Sequence, residues 1–301
     1  MALNNFSTST KGALALAIGA SLWGLFWIPL RYLSDAGFGA LWSSALVLGA
    51  GLPISLLMAF WLGKWRRKDA GWVALVGIGI GLSMVFYFYA VVSTDVVRAI
   101  FLFYMLPIWA TLIDRVVFGN RLNIGRSFAV LLAFFGLWLL LGGDGGIPLP
   151  RNAGDWSGLA AGFLWGGTLA LVSGRANVDA YWNVASAVFF GAVLSAFAAA
   201  IFGSVTITQG SMSVSLVAGV FAFAILVFWP SMIGQLWGAR LVPATRAALL
   251  TMSELVVAII SAWLLIGSSL SSLSAIGGLV IVTAVIVDIF SNRQPGLSST
   301  Q

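Results

Sequence analysis

The chain has 301 residues, of which 60% are hydrophobic and only 8% are charged, and its mean hydropathy is +1.04. A composition this apolar excludes an ordinary soluble domain and places the chain in a lipid bilayer. The chain has 15 Lys and Arg but only 9 Asp and Glu. In a membrane protein such a basic excess is related to the orientation of the loops and does not indicate a nucleic-acid partner. The absence of Cys and His excludes disulfides, Cys/His metal sites and histidine proton relays, and we predict neither a metal nor a cofactor.

Ten segments are long and apolar enough to cross the bilayer. A hydrocarbon core of about 30 Å needs about 20 helical residues, and a helix satisfies its backbone polar groups internally. The first segment follows the polar tail Met1–Thr10 without an obvious cleavage site, so we interpret it as a retained span and not as a signal peptide. The predicted spans are Gly12–Leu33, Phe38–Leu62, Gly71–Val92, Val96–Phe118, Ile124–Leu141, Trp156–Ser173, Ala180–Phe202, Ser213–Trp237, Ala244–Ile266 and Ser271–Ile289.

The cationic residues fall unequally on the two sides that these spans define. Three of the 15, Arg31, Arg98 and Arg151, lie on one side, and the other twelve lie on the opposite side. The positive-inside rule therefore predicts that both termini are cytoplasmic, which requires an even number of spans and agrees with ten. The twelve are Lys11, Lys64, Arg66, Arg67, Lys68, Arg115, Arg121, Arg126, Arg175, Arg240, Arg246 and Arg293.

The sequence repeats itself at a distance of 140 to 148 residues. A shift of 140 places Trp42, Gly51 and Gly63 on a Trp and two Gly residues, and shifts of 142 and 148 align further motifs. Five spans per copy would give the copies opposite orientations. We therefore predict an all-α membrane protein with ten transmembrane helices in two inverted five-helix repeats. The predicted divisions are a first repeat over 1–141, a linker over 142–155, a second repeat over 156–290 and a cytoplasmic tail over 291–301.

Glu254 is the only glutamate in the chain, and it lies about ten residues inside the ninth predicted span. An ionised acid at that depth is costly, so we expect its side chain to face the interior of the bundle. It would either recognise a substrate ammonium group or carry a proton. A buried structural hydrogen bond or ion pair is the alternative.

Arg98 and Arg246 occupy matching places at the starts of the fourth and ninth spans, 148 residues apart. Inverted repeats would place them at opposite faces of the membrane, where they could act as a pair of gates, form ion pairs or meet a substrate carboxylate. The alternative is that both only reach the headgroups and anchor their helices.

The aromatic residues are the other candidate group, with 14 Trp, 5 Tyr and 21 Phe in the chain. Five of them could line a cavity, although each could instead pack in the core or against lipid. Pro107 removes a backbone donor from the fourth span and predicts a break in that helix. An aromatic cavity favours a flat apolar substrate or a cation. The five are Trp23, Tyr87, Tyr89, Tyr104 and Trp165.

The end of each repeat carries a set of recurring motifs. Together they resemble the end of an EamA repeat of the drug/metabolite transporter superfamily, in which a proline-containing span is followed by Gly-Glu-x-Leu and a glycine-bearing span. The chain departs from this pattern at Asn120 and Ser268, where the family usually has glutamate, and at Leu255, where it usually has proline. The motifs are Leu106-Pro107-Ile108-Trp109, 118–122, 136–140, Ser253-Glu254-Leu255, 265–267 and Gly277-Gly278.

Within the superfamily, the chain is similar to the YddG-type aromatic amino acid exporters at five places: Trp23-Gly24, the run Phe86–Tyr89, Tyr104 before Pro107, Thr245-Arg246-Ala247, and Glu254. This resemblance implies a carrier of the bacterial inner membrane. It implies export of aromatic amino acids, and of planar cations such as methyl viologen, by alternating access at a central cavity.

Other functions stay open at this point. A carrier of the same superfamily could export another metabolite or drug, since fold does not determine substrate. A channel or sensor is a further alternative. A membrane-embedded enzyme is disfavoured because the usual His and Cys groups are missing. No Walker-type motif is present, so the driving force would be the substrate gradient or exchange with protons.

Overall fold

The computed structural model describes residues 7–119, 124–141, 149–205, 213–267 and 271–291. Within these ranges the chain is helical, and the β pairing is a single antiparallel bridge between Phe38 and Val205. Asn120, Ser268, part of the predicted linker and the tail beyond residue 291 lie outside the described ranges.

The described residues form fourteen α-helices. A 3₁₀ turn, Arg67–Asp69, precedes the fourth, and a π-helical turn, Ala224–Phe228, joins the tenth to the eleventh. In chain order the helices are α1 (Thr8–Trp23), α2 (Trp27–Asp35), α3 (Ala40–Leu62), α4 (Ala70–Ser93), α5 (Val96–Phe103), α6 (Leu106–Phe118), α7 (Ile124–Leu140), α8 (Ala153–Gly174), α9 (Ala180–Phe202), α10 (Val214–Phe223), α11 (Trp229–Ala239), α12 (Ala244–Thr251), α13 (Ser253–Ile266) and α14 (Ser272–Ser291).

Among the described residues, nine helical segments are long and apolar enough to cross a membrane, which establishes a multi-pass membrane protein. They coincide with nine of the predicted spans, with boundaries that differ by a few residues. The largest differences at a start are four residues, in the first span, which begins at Thr8 and not at Gly12, and in the third, which begins at Arg67 and not at Gly71. The remaining predicted span corresponds to α7, a 17-residue helix.

Three of the spans are interrupted by a short non-helical step. α1 passes into α2, α5 into α6, and α12 into α13 through short non-helical steps. Pro107 lies in the first turn of α6, where the missing N–H costs little, so the predicted break is at the start of this helix. The step between α12 and α13 at Met252 forms without a proline.

The step between α1 and α2 lies where two backbones approach closely. A side-chain carbon at Gly24 would collide with the carbonyl oxygen of Glu254 and lie 3.0 Å from the backbone nitrogen of Ala258. Only glycine permits this contact between the end of α1 and the start of α13. The close approach brings Trp23 and Glu254 to the same level of the bundle.

Helices from the two halves of the chain pack in pairs: α1 against α11, α4 against α8 and α9, α3 against α9, and α7 against α14. In the α3–α9 pair, the ring of Trp42 lies against Gly203 and the ring of Trp182 lies against Gly63. These two contacts join residues that a shift of 140 relates. The core of the protein is therefore built between the halves and not within each of them.

Candidate functional site

A small cavity lies at the middle of the bundle, between α1, α4, α5, α8 and α13. Its volume is about 20 Å³, which is room for about one water molecule. Five of its eight lining side chains are aromatic, and one is a carboxylate. The lining residues are Trp23, Ser83, Met84, Tyr87, Phe88, Phe103, Trp165 and Glu254.

The carboxylate of Glu254 is held by two of the interrupted spans, α5–α6 and α12–α13. Glu254 lies in the first turn of α13, directly after the step at Met252, and the residue as a whole is only 9% exposed. Tyr104 caps the end of α5 at the other interruption, and its hydroxyl donates a hydrogen bond to Glu254 Oε1. Each interruption thus supplies one partner of a polar pair in an otherwise apolar cavity.

Aromatic rings surround this pair. The ring centroid of Trp23 lies 6.0 Å from that of Trp165, and the centroids of Tyr87 and Phe103 are 4.9 Å apart. Behind Trp23, the ring of Phe26 stacks at 4.6 Å with an interplanar angle of 5°. A ligand in this cavity would therefore meet ring faces and edges next to one carboxylate.

One face of α4 contributes four lining residues. Ser83 and Tyr87 are four residues apart, as are Met84 and Phe88, so each pair occupies one face of the helix. The hydroxyl of Ser83 donates to the carbonyl oxygen of Ala161 at 2.8 Å and fastens α4 to α8. The sequence analysis missed Ser83, Met84, Phe88 and Phe103, although the spacing of four and three residues from Tyr87 was a usable signal for Ser83 and Met84.

Tyr89 is not among the cavity residues. Two positions along a helix turn a side chain by about 200°, so Tyr87 and Tyr89 point to different faces of α4. The Tyr89 ring packs edge to face against Phe202 at 6.2 Å, and Phe202 is exposed. Of the five predicted aromatic residues, the structure brings Trp23, Tyr87 and Trp165 to the cavity wall and places Tyr104 behind Glu254.

Arg98 forms an ion pair at one end of the bundle. Its guanidinium contacts both carboxylate oxygens of Asp155, at the start of α8, and donates to the carbonyl of Leu149 at 2.9 Å. The Asp155 side chain is fully buried and also accepts from Thr94 Oγ1 at 2.6 Å. The Arg98 side chain is 20% exposed.

Arg246 forms the corresponding ion pair at the opposite end. Its Nε lies 2.5 Å from Asp288 Oδ2, its Nη1 donates to Ser9 Oγ at 2.7 Å, and its Nη2 donates to the backbone carbonyl of Asp288. The Arg246 side chain is 1% exposed. Each arginine thus contacts the first helix of the other half of the chain, and neither lines the central cavity.

A second cavity, of about 250 Å³, separates α3 from α10. Its lining is apolar and includes Ala50, Val220 and Phe221. The pair that the repeat relates to it, α4 and α9, is in close contact because Gly77 and Gly81 admit the backbone of α9. The two matching contacts between the halves therefore differ in how closely their helices pack.

Comparison with known proteins places the chain in a transporter family. A solved structure described as "Crystal structure of protein" matches 93% of this chain and 98% of its own chain, with a TM-score of 0.72 and 20% identity, which shows the fold alone. The "Uncharacterized transporter YxxF" of Bacillus subtilis (strain 168) is 26% identical over 121 residues, and the match spans 39% of each chain. The model of the EamA-like transporter family matches residues 10–142 and again residues 152–289. These two matches span most of the sequence, and the chain belongs to the EamA-like transporter family.

Proposed function

We propose that this protein is a secondary carrier that exports aromatic amino acids across the bacterial inner membrane by alternating access. The observation that carries the proposal is the pairing of Glu254 with Tyr104 inside a cavity walled by aromatic rings. Family membership supports a small-molecule transporter and not an enzyme. The proposal adds the substrate class and the mechanism.

The cavity groups match the two ends of such a substrate. The carboxylate of Glu254 would accept hydrogen bonds from an ammonium group, and Trp23 and Trp165 would stack on a flat side chain. The substrate carboxylate would lie near the amino-terminal turn of α6, where the helix dipole favours negative charge. An aliphatic amino acid would make the ammonium contact but lose the ring contacts.

The mechanism requires two halves of inverted orientation, with α7 counted as a tenth span. Matching features support this arrangement. The two interruptions at Tyr104 and Met252 are 148 residues apart, and Gly119 and Gly267, also 148 apart, both end a helix in the left-handed conformation, with φ of 70° and 66°. The reciprocal contacts of Trp42 and Trp182 follow the same relation.

Alternating access would operate by rocking these halves. In this conformation both arginine ion pairs are formed and the central cavity holds about one water molecule, so a substrate needs an opening movement before it can bind. Rupture of the Arg98–Asp155 pair would open one end, and rupture of the hydrogen bond from Arg246 to Ser9, which joins the halves, would open the other. The cavity between α3 and α10 supports the view that these two helices can move apart.

The positive-inside distribution assigns the Arg246 end, and both termini, to the cytoplasm. Exchange with protons through Glu254 is the proposed driving force, with facilitated diffusion as the alternative. Binding would then alternate between a proton and a substrate ammonium group at one carboxylate.

Transport by the purified protein in liposomes tests the proposal. Vesicles loaded with one unlabelled substrate are assayed for counterflow of each of the twenty amino acids and of methyl viologen. We expect saturable counterflow of Phe, Tyr and Trp that exceeds that of Leu or Ala by at least about tenfold, the value of one or two ring contacts. Equal rates for aromatic and aliphatic amino acids, or flux that does not saturate, would contradict it.

A second candidate is export of planar cations, as one case of a different metabolite or drug. The observation that favours it is the absence of any Lys or Arg among the described residues of the cavity wall, beside an acidic group and several rings. The same set of counterflow assays separates the two candidates, because a cation carrier would exchange methyl viologen but would not exchange zwitterionic amino acids.

A further inference from the structure

Three loops meet at the end of the bundle that carries Arg246 and the start of α1. They are residues 63–69 after α3, residues 175–179 after α8 and residues 240–243 after α11. Together they bring six cationic residues, here called the basic platform, onto one surface. The basic platform consists of Lys64, Arg66, Arg67, Lys68, Arg175 and Arg240.

Contacts between the loops build this surface. Arg66 donates to the backbone carbonyl of Asn177, and Arg240 Nε donates to the carbonyl of Ala176 at 2.7 Å. The guanidinium of Arg175 lies over the ring of Trp72, 4.8 Å from its centroid. Guanidinium groups from both halves of the chain thus cross-link the loops, so the cations have a fixed arrangement.

The acidic residues of the three loops are already engaged. Asp69 is buried and accepts a hydrogen bond from Arg66 at 2.6 Å, and Asp179 caps the first turn of α9 through the backbone nitrogens of Tyr181 and Trp182. Lys64, Arg67 and Lys68 are exposed and form no ion pair with any described residue. The platform therefore keeps a net positive charge that these acids do not screen.

Arg240 shows how close the charges lie to one another. Burial lowers the pKa of Arg240, while the negative charge of Asp179 raises it and the positive charge of Arg66 lowers it. Arg240 is thus within electrostatic reach of the other two loops. An added anion would relieve the repulsion between Arg66 and Arg240.

Exposed aromatic side chains border the platform on the membrane side. Phe60 and Trp61, in the last turn of α3, are each 74% exposed, and Trp65 is 49% exposed. The rings of Phe60 and Trp65 pack against Trp182 at 5.0 and 4.7 Å. Aromatic residues in this position lie at the boundary between headgroups and acyl chains, so a ligand here meets cations at one end and an apolar surface at the other.

We infer that the basic platform binds the phosphate headgroup of an anionic phospholipid, with its acyl chains against Phe60, Trp61 and Trp65. A zwitterionic phospholipid offers the same chains without net charge, and a free phosphate offers the charge without chains. The bound lipid would bridge loops of both halves and favour the conformation in which these loops are joined. The inference stands apart from the proposed transport function.

Native mass spectrometry of the purified full-length protein tests this inference with phosphatidylglycerol and phosphatidylcholine as probes. The variant Arg67→Gln/Lys68→Gln removes two platform charges that have no described partner. The matched control Arg31→Gln/Arg151→Gln removes two exposed charges at the opposite end of the bundle. Cations near a membrane surface each change anionic lipid binding about fivefold, so we expect the platform variant to bind phosphatidylglycerol about 30-fold more weakly.

The control variant should bind phosphatidylglycerol as the wild type does, and phosphatidylcholine should bind weakly to all three proteins. Thermal unfolding gives a second readout, in which phosphatidylglycerol raises Tm for the wild type and the control but not for the platform variant. Equal binding of the two lipids would overturn the inference. So would equal losses in both variants, or a Tm increase of the same size with glycerol phosphate alone.

Discussion

The α5–α6 span and the α12–α13 span have the same plan but carry different chemistry. Each begins with an arginine in its first turn, is interrupted about eight residues later and ends at a left-handed glycine. The first supplies the hydroxyl of Tyr104, and the second supplies the carboxylate of Glu254. Their comparison indicates that the two spans share a backbone plan, whereas the polar groups at their interruptions differ.

The two arginines show a second difference. Arg246 and Asp288 are almost fully buried, whereas the Arg98 side chain keeps contact with solvent beside a buried Asp155. A buried charge that loses its partner is strongly destabilising. Loss of the Asp288 charge should therefore be more destabilising than loss of the Asp155 charge.

Removal of one charge from the Arg246–Asp288 pair has the largest expected effect on stability. Asp288→Asn leaves a buried guanidinium without its counter-ion and should lower the free energy of unfolding by about 3 to 5 kcal/mol. Asp155→Asn should cost less, because Arg98 can turn to solvent. Unfolding in detergent measures both, and equal losses would show that the two ends do not differ.

Replacement of the carboxylate should have the largest effect on transport. Glu254→Gln removes the charge that we propose to bind the ammonium group, so we expect KM in counterflow to rise at least about tenfold and flux driven by a pH gradient to stop. The matched control is Asp35→Asn, an exposed acid beyond the cavity. Unchanged pH dependence in Glu254→Gln would remove the proton-carrying role.

The hydroxyl of Tyr104, which pairs with Glu254 from the other half of the chain, should matter less for transport than the carboxylate itself. Tyr104→Phe keeps the ring and removes only the hydroxyl that donates to Glu254, so KM should rise about five- to tenfold. Radiolabelled counterflow measures this change. A loss as large as that of Glu254→Gln would mean that the hydroxyl contacts the substrate itself.

A smaller and substrate-selective effect on transport is expected when an aromatic ring of the cavity wall is removed. Trp165→Ala should reduce transport of aromatic substrates about fivefold more than transport of small aliphatic ones, because one ring contact is lost. Trp156→Ala, on the same helix but 60% exposed, is the control and should change neither. Equal reduction for both substrate types in Trp165→Ala would indicate a folding defect.

The smallest effect is expected at the proline. Since Leu255 occupies the matching place in α13 and the step at Met252 forms without proline, Pro107→Leu should change stability by less than about 1 kcal/mol and leave KM unchanged. Unfolding and counterflow check this. A large loss would mean that the two interruptions have different causes.

The sequence was sufficient to predict nine of the spans and their order, because their hydropathy depends only on local composition. Pro107 also indicated one interruption. The steps at Gly24 and Met252 could not be predicted, since they depend on the contact of α1 with α13 and carry no local signal.

For the site, depth in the span identified Glu254, and the aromatic content of the spans led to Trp23, Tyr104 and Trp165. Tyr89 was grouped with Tyr87 although helical geometry separates them by about 200°. The pairing of Asp155 and Asp288 with arginines depends on how distant helices meet. Facing directions and partners are tertiary properties that composition and spacing do not determine.

Protection of Glu254 from a carbodiimide by substrate tests the central claim most directly. The reagent modifies carboxyl groups in apolar surroundings, and mass spectrometry can assign the product because Glu254 is the only glutamate. We predict that a saturating aromatic substrate slows modification of Glu254 at least about tenfold and leaves Asp95 unaffected. The same rate with and without a transported substrate would contradict the assignment of this cavity as the binding site.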